Sequence, residues 1–200
     1  MLRKYWMMGL LLLLPLSAYA EGISYSYAEL NYIVDEDVDV SGVGDDDGDG
    51  WNFNASFAID NTFFINGGYS DVNLDDFNID VSNLNIGIGG RNRISDMLDA
   101  YGVVSYEDFE VDIPGSGDVD EDGFGIAGGL RGLLSEGFEL NGQIKYTDID
   151  DFDGWSFKLG GLFAIAPNWA INADYTAGEL EDSGVDLDID EIRIGLRYIF

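Results

Sequence analysis

The 200-residue chain predicts an all-β fold: a closed antiparallel up-and-down transmembrane β-barrel of ten strands, with short periplasmic turns and long acidic extracellular loops. Three observations predict it. Beyond residue 21, apolar and polar residues alternate with a period of two and no amphipathic helix of useful length appears. The connections between alternating segments are short and long in turn, and the last segment ends on an aromatic residue, Phe200, at apolar parity.

Residues 1–20, MLRKYWMMGLLLLLPLSAYA, open with Arg3 and Lys4, pass through an apolar stretch centred on residues 10–14 and close on Ala18-Tyr19-Ala20. Small residues at the two positions a signal peptidase inspects make this a secretory signal. The alternative, an uncleaved anchor, is disfavoured because the apolar run is shorter than the ~20 residues of a spanning helix. The expected organisation is a cleaved signal over 1–20 and an outer-membrane barrel domain over 21–200. Two of the nine basic residues leave with the signal and all 39 acids stay, so the exported chain carries 7 − 39 = −32.

Ten segments then follow, each near the 9–11 residues of a tilted membrane strand. The first is 23–33, and the second, 51–59, lines up Trp51, Phe53, Ala55, Phe57 and Ile59 on one parity. Segment 62–71 follows the tight turn Asp60-Asn61, and 82–92 places Asn83, Asn85 and Arg91 on the polar parity. Segment 97–107 follows Ile94-Ser95-Asp96, and 124–133 follows an Asp-Gly pair. Segment 138–147, after Ser135-Glu136-Gly137, alternates Phe138, Leu140, Ile144 and Tyr146 with polar residues; 155–164 does the same with Trp155, Phe157 and Leu159. After Ala166-Pro167-Asn168 comes 169–177, and 191–200 closes the chain. The intervening stretches 34–50, 72–81, 108–123, 148–154 and 178–190 read as long loops, which with their shoulders hold 31 of the 39 acids.

A repeat supports this register. Gly50-Trp51-Asn52-Phe53, Gly123-Phe124-Gly125-Ile126 and Gly154-Trp155-Ser156-Phe157 each follow an Asp, while Phe63, Phe138 and Trp169 each follow a tight turn and lead to Asn66, Asn141 and Asn172. The unit is a hairpin with an aromatic at each rim, where amphipathic rings settle at a membrane boundary. All seven basic residues of the exported chain (Arg91, Arg93, Arg131, Lys145, Lys158, Arg193, Arg197) fall on the polar parity. A soluble sandwich or lipocalin gives a similar alternation with its apolar face inside. Rim aromatics, the export signal and the aromatic terminus together favour the barrel.

Composition excludes several functions. With 39 acids against 9 bases, nucleic acid is not a partner, since its binding depends on cations that release phosphate counterions. The chain has no His and no Cys, which removes Ser-His-Asp and Cys-His nucleophiles and His- or thiolate-ligated zinc. Paired carboxylates remain a route to glycoside hydrolysis. With so many acids, however, a close pair arises by chance, and no enzyme is expected.

The final run Ile192-Arg193-Ile194-Gly195-Leu196-Arg197-Tyr198-Ile199-Phe200 resembles the C-terminal insertion signal of bacterial outer-membrane barrels. The resemblance implies recognition by the barrel assembly machinery through the strand ending in Phe200, and residence in the outer membrane of a Gram-negative bacterium. Through Gly22-Ile23-Ser24-Tyr25-Ser26-Tyr27, Gly67-Gly68-Tyr69-Ser70 and the Asp-Gly-aromatic repeats, the chain is also similar to a family of small acidic gammaproteobacterial barrels, some described as a secreted sensing factor. That family implies no catalytic positions. The better-known small barrel families have eight strands, the alternative to the ten counted here.

A barrel this narrow fills its lumen with side chains. Glu29, Asp99, Glu139 and Asp174 share the interior parity with Arg91, Arg131, Lys145, Lys158, Arg193 and Arg197, as does Glu191; buried charges of both signs are expected to pair into a network that plugs the barrel. The inward glycines Gly87, Gly89, Gly125, Gly129 and Gly160 either leave room for the long cationic side chains or permit tight strand curvature. No tightly held cofactor is expected. Asp45, Asp47 and Asp49 before Gly50, and Asp118, Asp120 and Asp122 before Gly123, share the opening of a calcium loop, although Ser56 and Gly129 stand where its closing Glu belongs. Loosely bound Ca2+ or Mg2+ is the corresponding expectation. The expected function is a non-enzymatic, monomeric structural or interaction barrel among outer-membrane lipid and lipopolysaccharide. The alternatives are a narrow cation-selective pore and a divalent-cation-binding, adhesin-like surface protein.

Overall fold

The computed structural model describes residues 22–42, 44–75, 79–113, 117–150, 152–182 and 185–200; the signal expected over 1–20 lies outside them. Alternating side chains and tight turns generate ten strands: β1 Tyr27–Val40, β2 Gly44–Ala58, β3 Phe63–Leu74, β4 Ile79–Ser95, β5 Leu98–Ile113, β6 Gly117–Ser135, β7 Phe138–Ile149, β8 Phe152–Ala166, β9 Trp169–Asp182 and β10 Val185–Ile199. Each pairs antiparallel with its neighbours in sequence, and β1 pairs with β10 from Tyr27↔Ile199 to Val40↔Leu187, so the barrel closes and no edge is left unpaired. Ten strands replace the eight-strand alternative.

The strand boundaries differ from the sequence reading in two respects. Strand β1 begins at Tyr27, and residues 22–26 belong to no strand. The stretches read as long acidic loops are mostly strand: β1 continues to Val40, β2 starts at Gly44, β6 at Gly117 and β10 at Val185. Asp is a poor strand former by propensity. Here it recurs at every second position, and the positions between hold residues that face inward, so tertiary pairing overrides the preference.

The consequence is a barrel with two zones of opposite polarity. In the membrane zone, Leu30, Phe53, Ile65, Ile86, Val104, Ile126, Ile144, Leu159, Ile171 and Ile194 point outward and are exposed, whereas Glu29, Asn31, Asn52, Ser105, Arg131, Asn172 and Arg197 are buried inside. Beyond it the pattern inverts. Ile33, Val38, Val72 and Leu74 pack into a buried inner cluster joined by Val40, Val81 and Leu187. On these strands and on β2, Asp37, Asp39, Asp45, Asp47, Asp49, Asp71, Asp186, Asp188 and Asp190 face solvent. The outer zone is built like a water-soluble barrel. Its height on β2, the seven residues from Gly44 to Gly50, is roughly 15–20 Å at ~3.3 Å per tilted residue.

A ring of tyrosines marks the junction. Tyr32, Tyr69, Tyr106, Tyr146 and Tyr175 stand outward on β1, β3, β5, β7 and β9, and each hydroxyl donates to a carboxylate of the outer zone: Asp49 (2.5 Å), Asp71 (3.1 Å), Asp108 (3.2 Å), Asp153 (3.0 Å) and Asp190 (2.5 Å). Trp51 and Trp155 pack beside Tyr32 and Tyr146 at centroid distances of 5.0 and 5.1 Å. At the short-turn end Trp169 packs on Tyr198 (4.9 Å), completing a second belt.

The Asp-Gly-aromatic repeat falls at the same junction, where it has a steric reason. A Cβ on Gly50, Gly123 or Gly154 would land on the carbonyl oxygen of Asp71, Asp148 or Glu179 respectively, each well under the 3.0 Å that real Cβ atoms respect. The glycines let adjacent strands close in where the wall passes from one zone to the other.

Candidate functional site

Among the described residues, buried polar chemistry concentrates in the lumen, and both strand alternation and the N-terminal segment supply it. At the short-turn end Ile23 and Tyr25 are buried with Phe64, and Ala58, Tyr101, Val103 and Leu133 pack against them. The Tyr25 ring sits 4.8 Å from Phe64 and 6.3 Å from Tyr101. The guanidinium carbons of Arg91 and Arg131 lie 4.6 and 4.5 Å from its centroid, a cation–π arrangement strengthened by exclusion of water.

Two buried ion pairs, the first of them bidentate, anchor the wall beside this base. Arg131 donates through Nε to Glu139 Oε1 at 2.6 Å and through Nη2 to Oε2 at 3.1 Å. Arg197 Nε donates to Glu29 Oε2 at 2.6 Å. A row of amides extends from the second pair: Asn31 Nδ2 donates to Glu29 (2.9 Å) and to Asn52 Oδ1 (2.9 Å), and Asn172 Nδ2 donates to Asn31 Oδ1 (2.7 Å) and to Asp174 (3.1 Å). Charges and amides thus bond one another across β10, β1, β2 and β9, as buried polar groups require, with the Asn172 Oδ1 left without a partner among the described residues.

The predicted network residues all reach the lumen side, with differences in pairing. Arg91 and Arg93 both stand 3.9 Å from Asp99, and Arg93 is a rim residue with 57% of its side chain exposed. Arg193 donates to Glu191 at 2.7 Å. Lys145 pairs at 2.8 Å with Glu107. Lys158 has no carboxylate within 4.0 Å among the described residues and feels Asp174 at longer range. The sequence reading missed Glu107, which is fully buried and also accepts from Ser105 Oγ. Its signal is present: Asp99, Tyr101, Val103, Ser105 and Glu107 continue one parity, and Glu107 closes the predicted segment 97–107, but it counts there among the acids of the adjoining loop's shoulder and not among the lumen charges.

The inward glycines provide space, and mostly not for cations. A Cβ at Gly89 would strike the Phe64 ring, at Gly129 the Tyr101 ring, at Gly160 Asp174 and Asn141, and at Gly195 Asn31; Gly125 alone of this set accommodates a cation, Lys145, beside Glu107. Above the base remains a chamber of about 360 Å³, bounded among others by Tyr25, Asn66, Asn83, Lys145 and Lys158.

The candidate metal ligands lie elsewhere. Asp45, Asp47 and Asp49 stand in one outward row on β2, and Asp118, Asp120 and Asp122 occupy alternate positions of β6. Residues i and i+2 of a strand are ~6.6–6.8 Å apart, too extended to wrap one ion as a calcium loop does. Among the described residues no three carboxylates converge on a point. Instead, outward acids crowd across strands: Asp37 opposes Asp47 and Asp190, and Asp39 opposes Asp45 and Asp188. Partial desolvation, followed by the charges of Asp47, Asp45 and Asp190, holds the Asp37 carboxyl above the usual carboxylate range.

Comparison with known proteins agrees with this architecture. Neisserial surface protein A shares 15% identity, with 88% of this chain and 98% of that one covered, at a TM-score of 0.51. The outer membrane protease OmpT of Escherichia coli gives a TM-score of 0.56 at 10% identity over 87% of this chain and 96% of its own. The transport unit of the Escherichia coli autotransporter AIDA-I gives 0.51 at 11% over 88% and 91%. At these identities the likeness is one of fold. No curated protein matches the chain by sequence. The model of the outer membrane protein beta-barrel domain, however, matches residues 8–160, more than half of the chain. Closed ten-strand topology, a lipid-facing apolar band and that match together place the chain in the outer membrane protein beta-barrel domain family of Gram-negative outer membranes.

Proposed function

We propose that the protein is a non-enzymatic scaffold and interaction barrel, closed to ions in its resting state, which presents an acidic outer wall at the cell surface. The observation that carries this reading is the filled base of the lumen: Ile23, Tyr25 and Phe64 are each less than 7% exposed, and the Arg131–Glu139 pair spans the wall beside them. Residues 1–20 direct export and are cleaved after Ala20, and the strand ending in Phe200 hands the released chain to the barrel assembly machinery. The apolar band sits as a single copy among lipid and lipopolysaccharide. Its tyrosine ring lies at the boundary where headgroups begin, and divalent cations gather diffusely along the carboxylate rows, screening them from anionic lipopolysaccharide. The lack of any His supports the non-enzymatic reading over a protease or phospholipase built on one.

Planar-bilayer recording of the folded full chain tests the proposal. The expected trace is closed, with no steady stepwise conductance. Sustained unitary currents from the unmodified protein, reversing at the potassium potential, would instead establish the narrow cation-selective pore.

A further inference from the structure

Residues 22–26 are attached to the barrel wall mainly through side chains. Arg91 Nη1 donates to the Ile23 carbonyl (3.2 Å), Arg131 Nη1 to the Ser24 carbonyl (2.8 Å) and Ser56 Oγ to the Tyr25 carbonyl (2.8 Å). Backbone pairing reaches the segment at its last residue, where Phe200 N–H donates to the Ser26 carbonyl at 3.2 Å. The ladder proper starts at Tyr27, which pairs on both sides, with Ser56 and Ile199.

Two further features make the segment separable from the wall. Its arginine partners keep carboxylates of their own: Arg131 retains Glu139, and Arg91 retains Asp99. Withdrawal of the segment therefore orphans neither guanidinium. The Tyr25 hydroxyl, although buried, has no hydrogen-bond partner among the described residues, so that its deepest polar group is not latched.

What the segment covers is a polar chamber. Its β2–β4 wall carries the uncharged amides Asn52, Asn54, Asn66, Asn83 and Asn85, while the β7–β9 wall, five strands away and hence opposite, carries Lys145, Lys158 and Asp174. Asn66 Oδ1, Asn83 Nδ2 and Glu107 Oε2 are buried without protein partners and are left to bond whatever polar molecule occupies the space. Glu29, Glu36, Glu107, Glu191 and Arg193 line the chamber between these walls, so that charges of both signs face the neutral amides, which suits neutral or zwitterionic hydrophilic molecules better than ions of a single sign.

We propose that residues 22–26 are a displaceable stopper hinged at Ser26, and that the chamber behind it, whose lining runs past the apolar cluster of the outer zone along Gly178, Glu179 and Ile189, is a latent passage for small neutral hydrophilic solutes. This rests on the closed-lumen reading above, and the test separates the two. The full chain, a variant lacking residues 22–25, and Tyr25→Ala are reconstituted, and arabinose-driven liposome swelling and KCl conductance are recorded. Heat-modifiable gel mobility certifies that each barrel is folded. The expected result is a closed full chain, with a severalfold rise in arabinose entry for both variants and a smaller rise in ion current. A full chain that already conducts refutes the closed-lumen reading. A closed full chain whose folded variants are equally closed overturns the stopper.

A variant that fails to fold leaves a second measurement. The chain has no Cys, so Ile23→Cys, at a position only 6% exposed in the closed barrel, offers one thiol to a membrane-impermeant maleimide. Slow, complete modification with a rise in arabinose entry is expected; lasting protection over hours contradicts displacement.

Discussion

Replacing Arg131 with Met isolates the energetics of the lumen. In the native barrel its guanidinium makes two charge-assisted hydrogen bonds to Glu139, at 2.6 and 3.1 Å, and a third to the Ser24 carbonyl at 2.8 Å. The partner carboxylate is only 4% exposed, so in the variant it is left charged and unpaired where water cannot reach it. Breaking a buried pair from one side costs about 3–5 kcal/mol, most of it the orphaned charge and not the lost contact. The paired variant Arg131→Met/Glu139→Leu removes both charges and should recover most of that loss, since an apolar replacement of a buried pair is often near neutral. The assay is reversible urea unfolding in phospholipid vesicles, followed by tryptophan fluorescence. The wild type, both single variants and the double variant together form a cycle whose coupling energy should be at least ~2 kcal/mol, within the range for residues in direct contact. A single variant that costs under ~1 kcal/mol, the value of a surface pair, or a double variant no more stable than the single, would refute the reasoning.

Three other outcomes follow from the same structure. Gly50→Ala, Gly123→Ala and Gly154→Ala each push a methyl onto a neighbouring carbonyl and should each cost about 1–3 kcal/mol, as overpacking does, in the same vesicle titration. Leu159→Arg, on the lipid face, should cost about 2–4 kcal/mol, whereas Ser82→Arg, outward on β4 beyond the tyrosine ring, gives up one hydrogen bond to Tyr69 and should cost no more than about 1 kcal/mol; equal costs would contradict the placement of the two zones. In the β2–β3 turn, the Asp60 carboxylate accepts the N–H groups of Phe63 (2.7 Å) and Thr62 (2.6 Å), which lower its pKa. A folded pKa below the unfolded one means this contribution is complete above the unfolded value, ~3.9, and disappears as pH falls through the depressed folded value. Stability of wild type minus Asp60→Asn, measured from pH 6 down to pH 3, should therefore shrink only at the acid end.

The sequence carried the strand count, the parity of every basic residue and the aromatic belts, because each is written locally in a period of two. It understated the strands' length. Asp at alternate positions of β2 and β10 was weighed by composition, which says loop, when Val38, Val40, Leu187 and Ile189 on neighbouring or intervening positions carry the same period inward. Glu107, at the very end of the predicted segment 97–107, went uncounted among the inward charges because it shoulders an acidic stretch. The course of residues 22–26 was not legible at all: Ile23, Tyr25 and Tyr27 keep the alternation of β1, and only the three-dimensional closure of the wall decides that Tyr25 leaves the ladder to stack between Arg91 and Arg131. The calcium-like spacing illustrates the converse, since Asp-x-Asp-x-Asp describes an ion cage when coiled and a picket of separated charges when extended.

The inverted polarity of the outer zone also bears on how the molecule stays where it is put. To leave the bilayer by the route it entered, β2 alone would have to drag Asp45, Asp46, Asp47 and Asp49 back through hydrocarbon, at about 2.5–3.5 kcal/mol for each carboxylate at mid-depth. The other hairpins carry similar freight. Threading is thus a one-way event: once the anionic tips have crossed, retreat faces a barrier far larger than any equilibrium stability of the fold, and the orientation persists for kinetic reasons even if individual lumen pairs are broken.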